Sequence, residues 1–550
     1  MKPLVYQTIP QMLARTANLF PHRPAIIFHG KRWDYQELER ITQQLAAGLL
    51  SHGLQKGSHV AILSENTPNA VFSLFALEQI GAVACMPNTS LKAGELKELF
   101  SISDVDFLMI GSHYKNNDFY EESIEIQKDY PLKAIFDISA EGSSPYPSFT
   151  ELCQTGASCL SSAPFWDTGF LSPDDPGMIL YTSGTTGSTA KAVLFTQYHM
   201  VNGGIQKAAG QAITEADVIC CALQMFHIFC LDVNILAALA TGACLAMPKD
   251  LHTASILETL TEDACTVFSC VPCMYQAIMD RPDFQERNQF QLRTGIIGGA
   301  FCPPEEFQAI ETSYGFTLLP GLGQTEAAAG IALGGLSDPL GLRSTSVGHF
   351  AAHSEGKLIH LETGEPLPVG EIGEICIRTP LLMCGYYRQP DLTAQVIDKD
   401  GWLHTGDLGR LDTQGNLYYA GRIKEMINRG GEKIIPGEVE ALIKQIHTIA
   451  DCKIIGIPHP HYGEEVCACV IPVPGDAPDL ASIQNYLKGR LADFKIPKYM
   501  AALDHFPMNA TGKIKRSQLL TLALEQIGNI CSRQYGCDPS SLIQENKPTT

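Results

Sequence analysis

The chain has 550 residues, 45% of them hydrophobic and 18% charged, a globular composition with length for several subdomains around a large core. Its 39 Lys and Arg stand against 59 Asp and Glu, a formal charge of −20, which excludes the basic face that non-specific nucleic-acid binding requires. The first ten residues carry no apolar core and no small-residue cleavage site, and no apolar run approaches the length of a bilayer-spanning helix.

No secretory signal and no transmembrane segment are therefore expected. The 18 cysteines are scattered, several inside apolar runs where a reduced thiol behaves as a small hydrophobe. Cys270-Val-Pro-Cys273 is a lone pair with no second pair at zinc-ligand spacing, so it reads as packing. A reducing, cytoplasmic compartment is the expected location.

In chain order, residues 9–52 read as a helix, a short hairpin and a second helix over Gln36–Leu50, capped at Gly53. Short apolar strands then alternate with helical patterns. Val60–Leu63 precedes a helix at Ala70–Gln79, Ala82–Met86 precedes one at Ala93–Leu99, and Phe107–Ile110 follows. This alternation predicts βαβ units and parallel sheets.

After a polar span at 138–176, Met178–Tyr181 reads as a buried strand that runs into six hydroxyl or glycine residues: Thr182, Ser183, Gly184, Thr185, Thr186 and Gly187. The glycines let the backbone approach a ligand closely, and the hydroxyls with freed N–H groups suit phosphate oxygens. Lys191 adds positive charge just beyond. The spacing is not that of a Walker loop. Taken alone, such a stretch is more often a surface loop.

A second α/β block spans about 195–345, with strands expected at Val218–Leu223, Ala243–Met247, Thr266–Cys270, Thr294–Ile297 and Thr317–Leu319. From about 346 to 420, short strands with Gly and Pro turns predict a small β-rich subdomain. A compact α+β unit is expected over 421–526, and a polar, mobile tail over 527–550. Taken together, the fold class is α/β: a large N-terminal domain of two parallel-rich subdomains plus a small β-barrel-like one, then a small α+β C-terminal domain.

Several stretches share the loop's character. Gly299 and Ala300 end a strand in small residues, leaving room for a flat ring. Gly321, Leu322, Gly323 and Gln324 lead into Thr325 and Glu326, a hydroxyl and a carboxylate within one turn. A glutamate there suits Mg²⁺, which keeps few protein ligands and relies on phosphate oxygens. Asp407, in Thr-Gly-Asp, offers a carboxylate to the hydroxyls of a ribose, and basic residues sit in the glycine turns at 421–425 and 509–515. Each of these, alone, is more often a turn or a solvated face.

Together and in this order the stretches resemble the adenylate-forming superfamily of acyl-CoA synthetases, luciferases and nonribosomal adenylation domains, over roughly Ile9 to Leu522. The resemblance implies activation of a carboxylic acid by ATP and Mg²⁺ as an acyl-adenylate, then transfer to coenzyme A. Thr182–Gly187 matches the loop holding the β- and γ-phosphates. Gly299, Ala300 and Gly321–Gln324 match the adenine-binding backbone. Thr325 matches an α-phosphate contact, and Glu326 the magnesium carboxylate. Asp407 matches the ribose ligand, with Arg422 beside it. Lys424 falls at the hinge on which the C-terminal domain rotates, and Lys513 matches the catalytic lysine. Gly430 and Gly431 resemble the glycine turn of the thiol tunnel. Phe226 and His227 match the element gating the acyl pocket, and Val271 and Cys273 lie in its wall segment.

Four positions depart from that pattern. One extra residue separates Gly187 from Lys191. Leu322 replaces an aromatic that stacks on adenine, Gln197 a histidine, and Gln224 a proline. Amino acid-activating relatives carry an aspartate where His227 stands, and the flanking sequence is apolar. The expected substrate is thus a hydrophobic acid of medium or long chain, with an aryl acid as runner-up. An acyl carrier protein as acceptor, or a non-catalytic adenylate-binding protein, are the alternatives.

Overall fold

The computed structural model describes residues 2–140, 142, 144–162, 169–182, 190–287, 289–328, 330–459, 462–508 and 514–535. The chain divides into two compact units, Met1–Gly356 with Ile377–Leu403, and Lys357–Cys376 with His404–Thr550.

The first unit is built on two large sheets. One has seven strands, ordered Gly385–Tyr386, Lys191–Thr196, Pro176–Thr182, Val83–Met86, His59–Leu63, Phe107–Ile110 and Ala134–Asp137. Its inner strands read as unbroken apolar runs because they are covered on both faces, as Val83–Met86 and Phe107–Ile110 are at every residue. The other has nine strands. Within it Thr317–Leu322, Thr294–Ile297, Val267–Phe268, Val218–Cys220, Cys244–Ala246 and Pro24–Phe28 follow one another in parallel. The strand–helix alternation read from the sequence is thus two parallel-rich sheets with crossover helices.

The helix Pro68–Ile80 explains how tightly the core is filled. Thr67 caps its N-terminus by accepting from the Ala70 N–H, and Gly81 ends it in the left-handed conformation. It has no polar stripe, since its side chains are buried on nearly every face. Its Glu78 is fully buried, and neither carboxylate oxygen has a hydrogen-bond partner among the described residues. Desolvation raises its pKa well above the ordinary value. The sequence's Gln197, a departure from the family pattern, lies beside it. Gln197 accepts from the Ile9 N–H at 2.9 Å and donates to the Glu78 carbonyl at 3.3 Å, tying the N-terminal helix Ile9–Leu19 to this core.

The second unit contains a four-stranded sheet ordered Glu355–Ile359, Gly373–Arg378, Leu403–Leu411 and Leu417–Arg422, three of whose strands run on into the first unit. A five-stranded sheet follows, in which Gly463–Pro472 pairs with Ile449–His459, Ile427–Arg429 and Tyr499–Ala502. Helices Pro436–Ile443 and Leu480–Leu487 pack around a core of Val439, Ile443, Ile454 and Ile483.

Two expectations about domain limits change. The division expected between 420 and 421 falls inside strand Leu417–Arg422, because Gly421 is the ladder partner of Leu408. The tail expected from 527 is instead helical up to Tyr535, within the helix Arg516–Tyr535. Leu519, Ala523 and Ile527 recur at four-residue spacing and are buried with Ile455, Ile457 and Cys467, which holds that helix to the sheet.

Because unfolded Glu78 releases its proton above about 4.5 while the folded protein retains it, the folded state binds more protons and stability falls as pH rises from there. Glu78→Gln keeps the shape without the ionisation. It is expected to raise the melting temperature at pH 8 by about 2 °C or more, with the gain vanishing near pH 4.5, as differential scanning calorimetry across that range would record.

Candidate active site

Four parallel neighbours of the nine-stranded sheet deliver the site. Val218–Cys220, Val267–Phe268, Thr294–Ile297 and Thr317–Leu322 point the same way, so the segments that follow them all leave at one edge. Residues 221–227, 270–273, 298–300 and 323–326, dispersed in sequence, therefore meet there. Gly299 has φ of +81°, and a Cβ at that position would lie 3.3 Å from Val271 Cγ1, so the turn runs directly against the Val271 side chain. Ala300 is exposed beside it. Gly298 faces the carbonyl of Gly321, with room for no side chain in between. Leu322 pairs with Ala332, and its carbonyl accepts from the Ile331 N–H at 2.8 Å. Gly323 and Gln324 then begin the turn closed by the Ala327 N–H on the Gln324 carbonyl, which presents Thr325 and Glu326.

The Phe226 and His227 rings lie 4.4 Å apart at 50°, Phe226 buried. His227 opens the short helix Ile228–Cys230, which passes into a π-helical turn over Leu231–Ile235. Cys273 lies one residue into the helix Pro272–Met279 and is exposed.

Glu326 is held from several directions. Its carbonyl accepts from the Met383 N–H at 2.9 Å, and its carboxylate Oε1 accepts from the Tyr386 hydroxyl at 2.8 Å. The same hydroxyl lies 3.5 Å from Lys191 Nζ, which also sits over the Tyr386 ring, 4.5 Å from its centroid. Burial, and then the charge of Glu326, push the Tyr386 pKa up, so the phenol keeps its proton and donates it. Lys191 is the ladder partner of Thr182. Lys191 thus opens the strand Lys191–Thr196. Ser183, Gly184, Thr185, Thr186 and Gly187 lie outside the described residues.

Glu326 also meets the requirement of a Mg²⁺ ligand. It is a hard oxygen donor, and it is not part of the one group of three ligating side chains found among the described residues. It suits an ion that takes one or two carboxylates and completes its shell with phosphate and water.

In the second unit, Asp407 is 1% exposed and lies 2.8 Å from Arg422 Nε, its partner across the hairpin. Burial works to lower the Arg422 pKa, but the Asp407 carboxylate, with Tyr419 and Glu425, outweighs it and leaves the pKa raised. The turn before Asp407 is pinned by two bonds. The Gly406 N–H donates to Glu374 Oε1 at 3.0 Å, and the Thr405 hydroxyl donates to the Ile375 carbonyl at 2.7 Å. Lys424 lies in a 3₁₀ turn, Ile423–Glu425. Gly430 and Gly431, with φ of +60° and +97°, form the tight turn between Ile427–Arg429 and Glu432–Ile434. Lys513 lies outside the described residues.

The profile of AMP-binding enzymes matches residues 13–387, and that of the AMP-binding enzyme C-terminal domain matches 438–513. The chain belongs to the AMP-binding enzyme family. Among its relatives in that family is the acyl-CoA ligase SID4 of Ajellomyces capsulatus, 31% identical over 90% of this chain and 87% of its own. The mitochondrial medium-chain acyl-CoA ligase ACSF2 of Rattus norvegicus is 28% identical over 94% and 87%. ATP-bound MatB of Rhodopseudomonas palustris superposes with a TM-score of 0.81 at 25% identity, covering 94% of this chain and 99% of that one. This AMP-binding enzyme is an acyl-CoA synthetase of the AMP-forming kind, with ATP and coenzyme A as substrates. No helix among the described residues is long and apolar enough to cross a membrane.

Sequence reasoning missed Tyr386 and Glu374. The first sits in an ordinary Gly-Tyr-Tyr run and the second in a strand, and only the fold brings them to Glu326 and to the turn before Asp407. Tyr386→Phe removes one charge-assisted hydrogen bond from Glu326. It is expected to lower kcat for pyrophosphate release about tenfold or more while leaving the circular dichroism spectrum unchanged.

Proposed function

We propose that this enzyme activates an aliphatic carboxylic acid of medium chain length and transfers it to coenzyme A. The observation that carries this reading is the character of the strand-end edge, where Phe229 and Val271 stand against the glycine turn at 298–299. Phe229 Cζ lies 3.9 Å from where a Gly298 side chain would begin, and the ring packs on the cluster of Val233, Ile296 and Leu319. An apolar wall of this kind rewards burial of methylene groups at about 0.8 kcal/mol each. The imidazole of His227 stands where an α-ammonium would need a carboxylate. The medium-chain specificity named for the rat relative supports the same substrate class.

The first step joins a carboxylate oxygen to the α-phosphorus of ATP and expels pyrophosphate. In the second, the thiolate of coenzyme A attacks the acyl carbon and AMP leaves. Two anions meet in the first step, so the protein must offset their repulsion. We assign that task to Lys513 and to Thr325 at the α-phosphate. The loop Thr182–Gly187 holds the outer phosphates, and Lys191 acts through Tyr386 to set the charge and orientation of Glu326. Glu326 would hold Mg²⁺, which when bound neutralises phosphate charge. Gly299, Ala300 and Gly321–Gln324 give adenine a backbone platform that lacks the stacking an aromatic would add at Leu322. Asp407, held beside Arg422, accepts from the ribose hydroxyls. Lys424 serves as the hinge residue, and Gly430 and Gly431 leave the thiol a path free of side chains.

Carboxylate-dependent ATP–pyrophosphate exchange tests the reading. With a panel from acetate through octanoate and palmitate to benzoate, exchange is expected to peak at the medium-chain acids and to fall at least about a hundredfold in Lys513→Ala. A peak at benzoate would overturn the aliphatic assignment, and full exchange in the lysine variant would overturn the role of Lys513.

A further inference from the structure

The second unit contains a cluster that the adenylation chemistry does not use. Glu374 and Cys376 are two apart on the strand Gly373–Arg378, so they project from the same face. His404, on the neighbouring strand Leu403–Leu411, reaches both. Its Nδ1 lies 3.0 Å from Glu374 Oε2 and 3.7 Å from Cys376 Sγ, and the three donor atoms lie within 4.8 Å of one another.

We propose that Glu374, Cys376 and His404 form a binding site for one Zn²⁺ ion, with water or a small ligand in the fourth position. Bond lengths of about 2.0–2.3 Å in a tetrahedral shell put nitrogen and oxygen donors about 3.4 Å apart and nitrogen and sulfur about 3.6 Å apart. The separations in the fold are within half an ångström of both values. The donors also select the ion. A thiolate, an imidazole and a single carboxylate suit a borderline-soft dication and are poorly matched to Mg²⁺ or Ca²⁺, which take oxygen shells. This separates the cluster chemically from Glu326.

The carboxylate is already divided between two tasks. Glu374 Oε1 accepts from the Gly406 N–H while Oε2 faces His404, so the metal would take one oxygen and leave the other in place. A hydrogen-bonded ligand of this kind is held in orientation before the ion arrives. Binding converts the Cys376 thiol to a thiolate, forms the sulfur–zinc bond and passes one proton to solvent, with no change in oxidation state. The ion would stiffen the turn Thr405–Gly406 that carries Asp407, which couples free zinc to the segment assigned to the ribose.

The test uses the full chain, reduced with a metal-free phosphine and stripped with a chelator. Zn²⁺ is followed by calorimetry, and Cd²⁺ by the ultraviolet charge-transfer band of a metal–thiolate bond. One such site is expected, its band absent in Cys376→Ser. Affinity in His404→Gln should fall by more than the roughly 10- to 100-fold that loss of a supporting partner produces. Both properties should survive in Glu326→Gln. A band that persists in Cys376→Ser would place the metal on another of the 18 cysteines and overturn the proposal. X-ray absorption of the unmutated zinc-loaded protein keeps the test independent of folding in the variants. One sulfur with nitrogen and oxygen neighbours supports the site; a shell with no sulfur, or with two or more, sinks it.

Discussion

Parallel pairing of neighbouring strands is the constraint on which this molecule rests. A parallel ladder fixes direction as well as spacing, so every strand in the run from Val218–Cys220 to Thr317–Leu322 must finish at the same edge. Residues separated by scores of positions are brought to one rim without any contact between them having to be specified directly. The crossover helices that parallel pairing demands cover the sheets, and this is why strands such as Phe107–Ile110 are apolar throughout and not alternating. The chemistry at the rim then depends on what the strand ends carry: bare glycine backbone at 298–299, a hydroxyl and a carboxylate at 325–326.

The charged groups of the first unit follow a single logic. Glu326 cannot be left to choose its own orientation, because a carboxylate near polyphosphate is repelled unless a cation intervenes. Tyr386 solves this with a neutral hydroxyl whose proton burial helps retain, and Lys191 lies on the far side of the same oxygen. The arrangement spreads positive charge toward Glu326 without a direct lysine–carboxylate pair that would compete for the carboxylate's oxygens. In the second unit Asp407 is handled differently. It is buried and meets Arg422 directly, its partner across the hairpin.

Much of this was legible from residue order. The strands at 60–63, 107–110 and 294–297 announced themselves as short apolar runs, and the strand before Thr182 did so as well. Strand-to-loop junctions rich in glycine and threonine marked the candidate site, and the resemblance tied them together. What was not legible depends on long-range pairing. Gly421 has the local look of a linker, yet its φ of +145° belongs to a ladder residue opposite Leu408. The helix running to Tyr535 has a polar surface that masks the Leu519, Ala523 and Ile527 stripe, and only the sheet it covers explains its length. Tyr386 and Cys376 carry no local signal at all. One is a tyrosine after a glycine and the other a buried cysteine in a β-strand, and their neighbours lie 60 and 28 positions away.

The second unit is assembled from two separate stretches of chain, Lys357–Cys376 and His404–Thr550, with Ile377–Leu403 belonging to the first unit between them. No single cut in the gene yields both units intact, since any break leaves one of them short of a strand. The order of synthesis matters for the same reason. A ribosome releases Gly373–Cys376 well before its neighbour Leu403–Leu411, so the edge of that early strand stays open until the intervening segment has been made and has joined the first unit. Folding of the two units is interlocked in time, even though each has a core of its own.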